Sequence, residues 1–397
     1  AQNFTTATDT YNTAVGHAAG GAVTTGIQNT LIGGLAGDAL TDADYNVAVG
    51  KVALTSDTLG SRSTALGYAA LFTQNFTTAT NSYNTAVGYS AGLSVTTGTE
   101  NTLIGGLVGD ALTTGASNTA VGYRSLSASN TAGGNTAIGG NAMLSDTKGA
   151  RNVAVGYGTL FSQNFTTATN SYNVAVGYDA GTAITTGFQN TAVGATALDA
   201  NTTANYCTAV GYGSLGANTT GTENSAVGRN SLTTNTIGGK IVAFGSGTLA
   251  SNTEGSNNTG LGWAALYDNT TGVSNTAVGS SALENNTTAD SNVAVGISTL
   301  FTNTTGHSNI AIGRSALYDN TSGSENVAVG MSALGNNTTQ SGNTAVGHEA
   351  LLTNTTASQL VAVGYQAGKT ASAGGGSSTF IGYQAGTLTT GSTNTAV

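Results

Sequence analysis

Apolar and polar positions alternate over three residues, stop at a glycine, and start again 17 residues later. The motif first reads Asn12-Thr13-Ala14-Val15-Gly16. It returns as Asn84–Gly88, Asn152–Gly156, Asn224–Gly228, Asn292–Gly296 and Asn343–Gly347, with further copies between. Closing glycines recur at steps of 17, as from Gly279 to Gly296 to Gly313. Two steps are 21 and the last, from Gly364 to Gly382, is 18. We number positions within a unit from the Asn. Position two is mostly β-branched (Thr13, Val47, Val153, Val293, Ile310), position three is mostly Ala, and position four is Val, Ile or Leu (Val15, Ile32, Leu66, Val210, Ile312). β-Branched residues favour extended backbone, and successive side chains of a strand point to opposite faces. Each unit therefore predicts one short strand with positions two and four on one face and three on the other.

Position five is Gly throughout, which predicts a corner of positive φ or close backbone approach. Ala-Leu or Ser-Leu at positions eight and nine predicts a second wall, as in Ala282-Leu283 and Ala316-Leu317. A variant has Gly at nine, as in Ala91-Gly92 and Ala180-Gly181. An Asn-Thr-Thr segment then predicts a second turn. No apolar face at helical spacing crosses the Gly column, so helices are excluded. No Asn-Gly or Asp-Gly dipeptide marks a hairpin. A return every 17 residues in the same register predicts parallel stacking, one coil above the next. The expected fold is an all-β parallel β-solenoid, a β-roll of 17-residue coils. About 22 coils, each rising roughly 4.8 Å, would build a rod on the order of 100 Å.

Stacking sets like on like. The Asn column at position one and a second column 17 apart (Asn252, Asn269, Asn286, Asn303, Asn320) predict ladders of side-chain amides. The absence of Pro suits a backbone whose every N–H serves a ladder. The blocks LFTQNFTTATNSYN and LFSQNFTTATNSYN explain the two 21-residue steps as four-residue loop insertions near 72–83 and 161–172. Their near-identity reveals a longer repeat of about five coils. The whole chain, 1–397, reads as one continuous repeat region. Gln2–Thr8 matches Gln74–Thr80, and the sequence stops at Asn394-Thr395-Ala396-Val397, so both ends are expected to be cut within repeats.

The predicted strands are apolar on both faces. The expectation is that Val, Ile and Leu fill the coil and that the Ala columns meet other chains around a shared axis, giving a homo-oligomer. End-to-end or lateral fibre contacts fit the same reading.

Charge removes several function classes. Only 7% of residues are charged and the formal net charge is −9. No Lys/Arg cluster exists for nucleic acid. No transmembrane stretch, signal peptide or lipidation motif is visible, so no membrane contact is expected of this segment. The three histidines, His17, His307 and His348, are too dispersed to share a metal. Asp38, Asp42 and Asp44 read as turn carboxylates, with a loop ion as the alternative. Gly105-Gly106 and Gly139-Gly140 lack the lysine of a phosphate loop. Ser and Thr residues have no base partner, so no catalytic, cofactor or metal site is expected and the chain is not read as an enzyme. The single cysteine, Cys207, stands where Asn is usual and reads as a small ladder substituent.

Two surface features carry candidate chemistry. The position after Gly holds Tyr68, Tyr89, Tyr123, Tyr157, Tyr178, Tyr212, Trp263, Tyr365 and Tyr383. These form either corner packing or an exposed aromatic stripe that stacks on sugars or on a neighbouring fibre. Asn201, Asn218, Asn269, Asn286, Asn303, Asn337 and Asn354 begin Asn-x-Thr sequons, open either to glycan or to ladder bonding.

NTAVG, NVAVG and NIAIG resemble the NSVAIG-type repeats of YadA-like heads in trimeric autotransporter adhesins. They are also similar to NTAVG repeats of phage tail-fibre-like proteins that end in an intramolecular chaperone domain. The resemblance covers essentially the whole chain, and the unit here is longer than the usual head repeat. It implies a parallel β-roll assembled as a homotrimer in an extracellular, cell-surface or virion fibre, with a glycan or host-surface receptor as partner. The expected function is a structural fibre or adhesin segment. The alternatives are a phage tail-fibre shaft, or an ice- or glycan-binding solenoid.

Overall fold

The computed structural model describes residues 9–370, 377–387 and 393–397. The matching segment Gln2–Thr8 lies outside them. The chain is all-β, a parallel β-solenoid of about 22 turns with coils of ~17 residues. It divides into two compact units, one ending at Thr203 and the other starting at Ala204.

In each unit the strand of every coil is short. It covers positions two to four, as in Thr136–Ile138 and Val153–Val155 of the first unit and Thr276–Val278 and Val293–Val295 of the second. Neighbours pair in parallel with like opposite like: Ala137 faces Ala154, and Ala277 faces Ala294. Hydrogen bonds between coils continue beyond the strands. In the second unit Gly279 N–H donates to Leu261 O (2.8 Å), Ser281 N–H to Trp263 O (2.9 Å), Leu283 N–H to Thr299 O (2.9 Å) and Ser291 N–H to Val273 O (3.0 Å). Backbone groups that would be orphaned in a buried corner are thereby paired.

One expectation is refined and one is corrected. The second wall is built from turns. Positions six to eleven form turns, with positive φ at seven and nine, for instance Ser281 (55°) and Leu283 (52°). The predicted faces of the first strand are also reversed. Ala at position three points inward and is fully buried, as at Ala277, Ala294 and Ala328. The β-branched residues on either side point outward and stay partly exposed. The Ala columns therefore do not meet other chains. Leu at nine does lie inside, as at Leu283 and Leu300.

The reason is width. A coil of this length leaves room for only one or two large aliphatic side chains, supplied by one of two arrangements. In the first unit, coils with Leu or Met at nine (Leu54, Leu126, Met143, Leu198) carry a polar residue at twelve (Asp57, Ser129, Asp146, Asn201). Coils with Gly at nine (Gly20, Gly37, Gly92, Gly109, Gly181) carry Val23, Leu40, Val95, Leu112 and Ile184 at twelve. Leu appears at position three only beside such glycines. A Cβ on Gly37 would lie 2.8 Å from both Leu31 and Leu40, so the glycine yields its volume to them.

The glycine at position five is required twice over. At Gly279 φ is +134°, and a Cβ would lie 2.5 Å from Gly296 O of the next coil. No L side chain fits either condition.

Both amide ladders form, and both run inside the coil. Asn292 Oδ1 accepts from Asn309 N–H (2.9 Å), while its Nδ2 donates to Gly306 O (2.9 Å) and closes its own coil. In the second ladder Asn303 Nδ2 donates to Asn286 Oδ1 (3.0 Å) and to Gly306 O (2.9 Å). Cys207 takes the first role in its coil, its thiol lying 3.3 Å from Gly221 O.

The 21-residue coils rejoin the stack in register, with Thr64 opposite Thr85 and Val153 opposite Val174. Their extra residues do not simply leave the stack. Thr80–Asn81 pairs with Gly60–Ser61 of the coil before, and Phe76 is buried. The second insertion repeats this with Thr169–Asn170, Gly149–Ala150 and Phe165.

Candidate functional site

The aromatic stripe is exposed. Position six follows the corner glycine and projects from the outside of the coil, so Tyr68, Tyr89, Tyr123, Tyr157, Tyr178, Tyr212, Trp263, Tyr365 and Tyr383 all lie on the surface. Adjacent members stack on each other. Ring centroids are 5.4 Å apart for Tyr68–Tyr89, 5.9 Å for Tyr157–Tyr178 and 5.2 Å for Tyr365–Tyr383, with His348 stacked on Tyr365 at 5.1 Å. Rings in such a pair cover one another's faces and turn their edges to solvent. A flat ligand can reach a ring face only where the column is interrupted.

The seven sequon asparagines are in a different position. Asn201, Asn218, Asn269, Asn286, Asn303, Asn337 and Asn354 are all fully buried. Where their amides can be followed, Nδ2 donates into the coil, as from Asn218 to Gly221 O (3.0 Å), Asn269 to Gly272 O (3.1 Å) and Asn337 to Asn320 Oδ1 (2.9 Å). A glycan on that nitrogen would break the ladder and displace the next coil. The folded stack therefore has no place for one, and the glycan reading is set aside in favour of ladder bonding.

The three aspartates of the first unit do not converge. Asp38 accepts from Thr55 Oγ1, Asp42 from Thr25 Oγ1 (2.6 Å) and Asp44 from Ile27 N–H (2.8 Å), each across to a different neighbouring residue. Among the described residues no group of three or more His, Cys, Asp or Glu comes together. No helix among them is long and apolar enough to cross a membrane.

Three features escaped the sequence reading. The first is a pair of buried carboxylates under the insertions. Asp57 accepts from Gln74 Nε2 (2.6 Å), Gly60 N–H (3.0 Å) and Phe76 N–H (3.1 Å). Asp146 repeats the arrangement with Gln163 (2.6 Å) and Gly149 (2.9 Å). Burial pushes both carboxyls above their ordinary value, although these hydrogen bonds pull the other way. Each replaces the Asn usual at position twelve. The Asp–Gln step, present twice beside the duplicated insertion, is the signal that could have revealed it.

The second is an Arg–Tyr column at position 17. The Arg62 guanidinium lies 4.9 Å from the Tyr45 ring centroid and 5.8 Å from that of Tyr83, and Arg151 lies 5.7 Å from that of Tyr172. Cations between rings tie successive coils together. The third is the outward strand face. Positions two and four leave Ile310 and Ile312 about 40% exposed, and the same columns expose Val361, Val363 and Phe244 in the second unit and Ile32, Ile104 and Ile138 in the first.

No protein-family model matches this chain, and no curated protein matches it.

Proposed function

We propose that this chain is a structural segment of an extracellular fibre, an adhesin shaft or head or a phage tail-fibre shaft, assembled as a homotrimer through its strand faces. The observation that carries this reading is the outward column of β-branched residues. It is uncharged, it repeats coil after coil within each unit, and its exposed Ile and Val side chains lack a cover. A second copy carries the same column at the same rise, so every coil meets an equivalent partner. Three such faces around one axis would bury all of them. The contact differs from the one the sequence suggested, because the alanines are already used inside. Stacks bonded around most of the coil suit a load-bearing spacer, and the aromatic stripe remains free on the outside for lateral or receptor contacts. The ice-binding alternative gains no such support. Only the first threonine hydroxyl of each Asn-Thr-Thr points along the stack, as from Thr304 Oγ1 to Thr321 O (3.0 Å), and the exposed second position is not a uniform array, with Ile237 and Glu254 standing between Thr220 and Thr271.

The test is mass in solution by light scattering together with electron microscopy. A trimer seen as elongated particles is the expected result. Ile310→Lys with Ile312→Lys should lower the mass to that of one chain while keeping a β-type circular dichroism spectrum. A monomeric wild-type chain at micromolar concentration refutes the assembly.

A further inference from the structure

At one place in the second unit, position six leaves a gap with the dimensions and chemistry of a ring-binding slot. Three successive coils place Arg229, Ser246 and Trp263 at position six. Elsewhere in this column adjacent rings stack at 5.1 to 5.9 Å. Here the middle residue is a serine, so Arg229 and Trp263 flank it two coil rises apart, roughly 9.6 Å. The next residue is Gly247, which deepens the gap. The Tyr267 ring leans over that glycine, 3.4 Å from where a Cβ would stand. The result is a cleft of about 280 Å³ lined by Arg229, Asn230, Thr233, Ser246, Trp263 and Tyr267, with Ala250 in its floor. That volume is just under the roughly 300–1,000 Å³ of sites for drug-sized ligands, and so suits a single ring.

The lining is unused by the fold. Trp263 is 61% exposed. Arg229 takes part in neither of the ion pairs found among the described residues, which involve His348 and Lys369 with Glu349. Among the described residues no hydrogen bond engages the side chains of Arg229, Asn230, Thr233 or Ser246, whereas another hydroxyl nearby is engaged, Thr234 Oγ1 on Ala250 O (2.6 Å). One wall is therefore aromatic, the opposite wall is a free guanidinium, and the space between carries free hydroxyl and amide groups.

The geometry points to a binding site for an acidic monosaccharide unit, a uronic or sialic acid residue of a glycan. An indole and a phenol ring receive the C–H face of a pyranose. A guanidinium takes a carboxylate through two parallel hydrogen bonds. Thr233, Ser246 and Asn230 supply donors and acceptors for ring hydroxyls. The chain's net charge of −9 disfavours a doubly charged phosphate more than a single carboxylate, which sets the sugar acid above a nucleotide. The site does not depend on the fibre reading, since all of its residues come from one chain.

Trp263 is the only tryptophan in the chain, so its fluorescence reports on this cleft alone. The experiment titrates the full chain with methyl glucuronide and N-acetylneuraminic acid, with methyl glucoside and adenosine monophosphate as comparators. A saturable change for one of the acids, half complete at or below about 10 mM, is expected. The neutral glucoside and the Arg229→Gln variant should each weaken it about tenfold or more. Ser246→Tyr fills the slot with a ring and should abolish the response with the melting temperature unchanged. Absence of saturation with both acids overturns the proposal. So does a glucoside response equal to theirs, an unaffected Arg229→Gln variant, or tighter binding of the nucleotide.

Discussion

Exchanging one packing arrangement for the other within a single coil tests whether interior volume governs this fold. The coil starting at Asn173 is suited to it, because it has Gly181 at nine and Ile184 at twelve, while the coils on either side have Leu160 with Gln163 and Leu198 with Asn201. Ile184→Asn alone removes a side chain that is 1% exposed and leaves an amide beside the void. Large-to-small core changes cost about 2–5 kcal/mol, and a poorly paired buried amide adds to that, so we expect about 3–5 kcal/mol. Gly181→Leu alone overfills the coil. A Cβ there already lies 3.0 Å from Ile184 Cδ1 and 3.2 Å from Leu160 Cδ2, and overpacking costs about 1–3 kcal/mol. Backbone conformation is not the obstacle: φ is 60° at Gly181, and Leu160 and Leu198 occupy the same position at 48° and 57°. Together the two changes recreate the commoner coil. The introduced leucine fills the interior, and the introduced amide can reach the carbonyl of Gly187, as Asn218 reaches that of Gly221 at 3.0 Å. The double variant should lie within about 1 kcal/mol of wild type, a coupling of about 3 kcal/mol or more where independent changes would simply add. Thermal melting with hydrogen exchange of the amides in 174–193 measures it. Additive losses would refute the volume argument.

The corner glycine gives a sharper loss: Gly279→Ala forces a Cβ to 2.5 Å from Gly296 O at a φ of +134°, and should cost several kcal/mol, seen as a lower melting temperature and faster exchange in the flanking coils. Asp57 and Asp146 predict a pH dependence. Their folded pKa values are raised by burial, so protonation favours the folded state. The stability they contribute is full below the unfolded carboxylate value, about 3.9, and is lost as the pH rises through the raised folded values. Melting curves from pH 3 upward should show that decline in wild type and less of it in the Asp57→Asn, Asp146→Asn double variant; equal slopes would count against the assignment. Burial pushes the Cys207 thiol up to about 11, so an aromatic disulfide reagent at neutral pH should find no reactive thiol in the native chain and one after denaturation. Peptide mapping of chain secreted from a glycosylating host should find Asn218, Asn269 and Asn303 unmodified in folded material, because their amide nitrogens are inside the coil.

Period, strand position and register were legible because each rests on a one-dimensional signal. The 17-residue return fixes which residues stack, and β-branched pairs flanking Ala fix the strand. Direction was not legible. Alternation separates positions two and four from position three but does not say which side is the interior, and hydrophobicity alone favours the larger residues. Volume settles it, and that signal was present in the sequence. Leu31 occurs with Gly37 and Leu103 with Gly109, each large residue at position three beside a glycine at nine. Such compensation has meaning only if positions three and nine face each other inside. The sequon asparagines were legible as a ladder but not as interior residues: their 17-residue spacing sets amide on amide, whereas only the narrow coil explains why they turn inward to pair backbone groups that no strand reaches.

Placing alanine inside and valine outside also links the fold to its proposed use. A wide coil would bury its β-branched residues and present a polar exterior, with stability held within one chain. A narrow coil has no room for them. It closes on Ala, one or two large aliphatic side chains and buried amides, and it leaves on its strand face the apolar area that a wider coil would have used. A second copy carries a surface of the same spacing, which is why the proposed assembly places these faces against one another. The slot at Ser246 follows the opposite logic. On the outer corner position six varies among rings, small residues and charges, and the small Ser246 opens a slot with Arg229 on one side and Trp263 on the other. Repetition on the strand face thus suits the proposed self-association, while variation along the corner column leaves room for the proposed site at Ser246.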